Sequence, residues 1–165
     1  MRYFIKIVIT VTATFCATAV LAEKFTGYGS IDGWNVYVDT EKNTCMVEVK
    51  DDFGNVVQMG ITDQPGIAYI GIFTNNKTDI RKDQKQDIAL LIGDDVYVGQ
   101  ATGMRGNITK GYSGGYVKTD DPEVFDAIAK AQTMTIFPET GYSVVVDLTG
   151  SFNAIKLGRK CMAER

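Results

Sequence analysis

The chain contains no histidine. That removes the usual general base near neutral pH and the commonest metal ligand. Any catalysis would rest on hydroxyls, amines or carboxylates. One hydroxyl sits in a suggestive pattern, because Gly111-Tyr112-Ser113-Gly114-Gly115 matches the G-x-S-x-G of a nucleophile elbow. An elbow needs a strand-to-helix turn and a basic partner. The sequence predicts no such turn here, and only Lys110 and Lys118 offer amines, so Ser113 reads first as a loop serine. Carboxylate pairs stand at Asp51-Asp52, Asp94-Asp95 and Asp120-Asp121. Paired acids suit acid–base work or calcium. Each pair, however, falls at a predicted turn or helix cap, where Asp is favoured for local hydrogen bonds. No calcium spacing appears. We therefore assign no catalytic residue, metal ligand or cofactor from the sequence, and expect a protein that is not an enzyme.

Binding chemistry has one better candidate. Tyr112 and Tyr116 are bracketed by glycines and lie near Arg105, Lys110 and Lys118 in the chain. Exposed tyrosines among cations on a loop suit a protein or glycan partner, so Tyr112, Tyr116, Arg105 and Lys118 are the candidate binding residues. The other strand aromatics (Trp34, Tyr37, Tyr69, Phe73, Tyr97 and Tyr142) read as core.

The elements that hold these groups begin after a leader. Arg2 and Lys6 precede an apolar run that ends in Val20-Leu21-Ala22, the layout of a signal peptide over residues 1–22. The run is short and rich in Thr and Ala, unlike a membrane span. The expectation is export to the periplasm or beyond, with Cys16 discarded, and one domain over residues 23–165. Losing Arg2 and Lys6 takes 17 basic residues to 15 against 20 acidic, and moves the net charge from −3 to −5. That balance argues against nucleic acid and anionic membranes, both of which favour a basic surface. No membrane span is expected in the mature chain. Cys45 and Cys161 then remain as the two cysteines in an oxidising compartment, and read as a disulfide.

From Gly33 onward the pattern is β. Trp34–Val38, Thr44–Val49, Val56–Ile61 and Ile67–Phe73 arrive every 10 to 12 residues with turn residues between them. Ile88–Ile92 and Val96–Ala101 flank Gly93-Asp94-Asp95 as a hairpin. Residues 75–87 form a polar run expected to be a solvated connection. The glycine-rich stretch that follows Ala101 predicts loops with a short strand near Tyr116–Lys118. Asp121-Pro122-Glu123 is a helix start, with a cap, a proline at the first position and an acid at the positive end of the dipole. Val124, Ala127, Ile128 and Ala131 continue it as a stripe, so a helix over 122–131 should lie on the sheet. Thr133–Phe137 and Tyr142–Leu148 are the last strands. A final helix over 151–162 carries Ala154, Leu157, Gly158 and Cys161 on one face. The expected fold is mainly β: an antiparallel sandwich or barrel-like domain of eight or nine strands with two short helices.

Trp34-x-Val36, the cysteine soon after it at Cys45, and Leu148-x-Gly150-x-Phe152-x-Ala154 resemble the invasion-associated locus B family of small exported bacterial proteins. The resemblance implies a β-rich domain with an envelope role in host-cell interaction and no known cofactor or catalysis. The chain departs from the family in placing Tyr37 where a further cysteine is common. The expected function is thus a non-enzymatic periplasmic or secreted interaction domain whose partner is an unidentified protein or envelope component. An inhibitor or small-ligand binder using the concave end of a barrel is the second reading. A carboxylate- or Ser/Lys-dependent hydrolase is the third.

Overall fold

The structure is a computed structural model and describes residues 24–62, 64–105, 111–138 and 143–165. The leader, Lys110, Tyr142 and most of the Pro138–Gly141 turn lie outside the described residues.

Ten strands form one antiparallel sheet among the described residues. They are β1 (Phe25–Ile31), β2 (Trp34–Asp39), β3 (Thr44–Lys50), β4 (Val56–Ile61), β5 (Ala68–Thr74), β6 (Lys85–Ile92), β7 (Asp95–Arg105), β8 (Ser113–Thr119), β9 (Thr133–Pro138) and β10 (Val144–Asp147). Their order across the sheet is β1-β2-β3-β4-β5-β8-β7-β6-β9-β10. The first five form a meander, and β6 to β8 enter in reverse order. No pairing joins β1 to β10, so the sheet is barrel-like but open.

Side chains alternate across a strand, and the register turns that alternation into rows. One inner row runs Val36, Val47, Met59, Ile70 and Val117 across β2, β3, β4, β5 and β8. Another runs Leu90, Ile136 and Val144 across β6, β9 and β10. These residues belong to, or pack on, a single buried cluster that also takes in both helices.

The strand Ser113–Thr119 is longer than the sequence suggests, and β7 runs on to Arg105. Glycine is depleted in strands for want of a side chain to pack. Here the ladders on both sides of β8 supply the backbone bonds regardless of side chain, from Ala68↔Thr119 to Thr74↔Ser113 and from Ala101↔Val117 to Arg105↔Ser113.

The two helices are α1 (Pro122–Lys130) and α2 (Ser151–Ala163). Asp121 caps α1 by accepting from the Glu123 amide. Val124 and Ile128 are its buried residues, and α1 packs against α2. The buried Ser151 hydroxyl donates to the Ile128 carbonyl at 2.9 Å, satisfying a group that the end of α1 leaves open. An exposed Arg159–Asp126 pair also joins the helices.

α2 covers the inner face of β1, β2 and β3. Cys45 and Cys161 form a disulfide there, with Cα atoms 6.1 Å apart and 116 residues between them. Trp34, fully buried, donates its indole N–H to the Thr149 carbonyl at 2.9 Å. Gly150 has φ of +83°, and a Cβ there would meet the Asp32 backbone at 2.7 Å. Only glycine combines that dihedral with so close an approach. Asn153 then donates to the Asp32 carboxylate at 2.6 Å. The turn after β10 is thereby fastened onto the β1–β2 hairpin, which bends the open sheet toward closure.

Candidate functional site

The three carboxylate pairs lie at turns and a helix cap, and Asp51 and Asp121 are engaged there. Asp51 accepts from the amides of Phe53 and Asn55, and Asp121 is the α1 cap. Asp94 lies in the two-residue turn of the β6–β7 hairpin, between Gly93 and Asp95.

Ser113 opens strand β8 rather than a strand-to-helix turn. It is buried, and its Oγ shares a hydrogen bond with Thr78 Oγ1 at 2.7 Å. Strand alternation puts Lys118 on the opposite face of β8 from Ser113. The elbow pattern therefore has neither its turn nor that amine.

The four candidate binding residues do not form one cluster. Tyr116 and Lys118 stand on the outer face of β8, opposite Gly71 and Tyr69 of β5. Tyr112 precedes the strand, with the Lys50 ammonium 6.0 Å from its ring centre. Arg105 pairs with Ser113 on the inner side of the sheet and donates to the Ile80 carbonyl at 3.1 Å.

The aromatics also fall mainly outside the core. Of the expected set, Trp34 belongs to the inner cluster and Tyr97, paired with Leu90, packs against it. Tyr69 and Phe73 lie instead on the outer face, their rings over Gly60 and Gly71. Burial pushes the Tyr69 phenol above its usual pKa, with the charges of Asp39 and Glu48 adding to the effect. The glycines leave room for rings to lie flat on the sheet, an arrangement that period-two reading does not distinguish from an inward ring.

The inner face between β5 and β10 holds a cavity of about 400 Å³ with an aliphatic wall. Its apolar wall comes from Ile70, Ile72, Ile88, Val117, Ile136 and Val144. The space exists because their neighbours are small. Ala101 and Gly115 occupy inner-face positions of β7 and β8, where larger residues would project into it. Volume and lining place it within the roughly 300–1,000 Å³ range of small-molecule sites.

One end of the cavity is bounded by residues 75–84, the connection between β5 and β6. Most of this connection is exposed, as its polarity leads one to expect, and Thr78, Asp79, Ile80 and Gln84 also line the cavity. Three sets of contacts hold this strap. The Asp83 amide donates to the Gly103 carbonyl at 2.9 Å, and the Gly103 amide donates to the Gln84 carbonyl at 2.6 Å. Arg105 holds Ile80, and Ser113 holds Thr78. A Cβ on Gly103 would collide with the Arg81 carbonyl, so the strap lies directly on backbone. Polarity alone does not reveal this, because the strap is held by main-chain groups that every sequence carries.

A second, smaller cleft of about 260 Å³ lies beside the disulfide, between α2, the start of α1 and β3 to β5. Ile61, Phe125, Ile155 and Met162 contribute to it. Among the described residues no helix is long and apolar enough to cross a membrane. No protein-family model, curated protein or solved structure matches the chain.

Proposed function

We propose that this protein is an exported, non-enzymatic binding domain that holds a small, mainly apolar ligand in the β5–β10 cavity. The observation that carries this reading is the cavity itself. An aliphatic wall beside a polar strap is the arrangement that holds a ligand body while orienting one end. The Cys45–Cys161 disulfide supports an oxidising compartment outside the cytoplasm. The leader-like residues 1–22 point the same way.

N-phenyl-1-naphthylamine, a neutral dye that brightens in apolar surroundings, tests the proposal. The purified protein should bind it saturably at one site. Ile72→Trp should abolish the signal by filling the cavity while keeping the wild-type circular dichroism. Equal dye binding by wild type and variant sinks the reading.

A second reading retains a protein or envelope component as partner, in line with the locus B resemblance. Its support is an exposed apolar area on the outer face: Val98 lies across from Ala89 and Phe137, and Val96 across from Leu91, Thr135 and Val145. Val98 is 83% exposed and Val96 64%. Crosslinking in the native envelope should then recover one stoichiometric partner, with capture lost in Val98→Lys.

A further inference from the structure

We infer that the cavity selects aliphatic ligands whose polar end is neutral or cationic, and discriminates against carboxylates, sulfates and phosphates. This rests on the cavity being the binding site, and adds to it the class of ligand.

The polar groups around the cavity are of one kind. Thr74, Thr78 and Ser113 bring hydroxyls, and Asn76, Gln84 and Gln86 bring amides. Thr78 and Ser113 share one hydrogen bond, and Gln84 Oε1 accepts from the Arg81 amide. The hydroxyls retain acceptor capacity and the Gln84 amide its N–H donors, which suits an alcohol or amide end. Asp79 is the one charged side chain among the described lining residues. The strap cations Lys77, Arg81 and Lys82 lie outside the lining, as does Arg105, which holds the Ile80 carbonyl.

An anionic end entering this site would find no cation among the described lining residues and would face Asp79. Like charge disfavours it there. An alcohol meets only partners that can satisfy it, and an ammonium gains Asp79. At the ~30 Å³ that a water occupies in the liquid, the 400 Å³ cavity holds roughly a dozen non-hydrogen atoms. An eight-carbon chain with its polar end fits that space.

Displacement of N-phenyl-1-naphthylamine by octan-1-ol, octylammonium and octanoate at pH 7.5 tests the inference, since the three share one chain and differ in charge. We expect octan-1-ol and octylammonium to displace the dye at concentrations at least ten-fold below octanoate. Asp79→Asn should remove any advantage of octylammonium over octan-1-ol and leave octan-1-ol unchanged. Octanoate displacing the dye as well as octan-1-ol does would overturn the ligand class while leaving the cavity reading intact. Failure of the dye itself to bind overturns both.

Discussion

The inner face of the sheet is covered by α2 under β1 to β3, and between β5 and β10 it leaves a cavity toward the strap. Under β1 to β3, α2 lies on the strands, Trp34 is sealed against Thr149, and the disulfide ties the helix to β3. Between β5 and β10 the covering element is a polar strap, and the strands offer Ala101 and Gly115 where bulk would be needed to fill the space. Both halves share one sheet and one set of ladders. What differs is the cover: both halves send large side chains inward, but only the first has a helix lying on them, and that separates a region built for stability from a region left available to a ligand.

This comparison can be broken most directly at the disulfide. In the chain-entropy model, a bridge closing this long a loop contributes up to roughly 4–5 kcal/mol. Cys45→Ser with Cys161→Ser should therefore lose a large part of the folding free energy in urea titration. A loss below about 1 kcal/mol would show that the helix-covered half does not depend on its clasp. Trp34→Ala should cost about 3–5 kcal/mol, as expected for a large aromatic removed from a packed core.

Ile72→Trp probes the cavity half and should behave oppositely. Filling existing space creates no new void, so stability should stay within about 1 kcal/mol of wild type. A loss as large as that of Trp34→Ala would mean that the two halves are equally packed.

The smallest effect concerns the turn that joins them. Asp147 accepts from the Thr149 amide at 2.8 Å, and hydrogen bonds from the Thr149 side chain and backbone hold its carboxyl below the usual range. A carboxyl whose folded pKa is depressed contributes stability above its unfolded value, about 3.9, and loses it as pH falls through the folded value. The stability gap between wild type and Asp147→Asn should accordingly be present at neutral pH and close below about pH 4. Chemical denaturation at several pH values measures it. A gap that widens on acidification would contradict the assigned bond.

The helices were readable because their signals are local: an Asp cap before proline for α1, and a stripe ending in Cys161 for α2. The strands from Trp34 to Phe73 were readable from alternation and turns. The glycine-rich strands and the strap's contact with β7 were not, since a side-chain pattern carries no record of backbone groups finding distant partners. Arg105 lies on the opposite face of the sheet from Tyr116 and Lys118 for the same reason. Residues close in sequence share a face only when their strand register says so.

By itself, the sequence determined the β-rich class, the two helices, and a pair of cysteines with no histidine beside them. Those features follow from residue type and spacing within about ten positions. The tertiary structure alone decided that the sheet stays open between β1 and β10, that Trp34 meets Thr149, and that the strap lies on Gly103. It also decided where the interior is empty. A cavity is set by the residues that many strands send to one place, and no single stretch of chain specifies that sum.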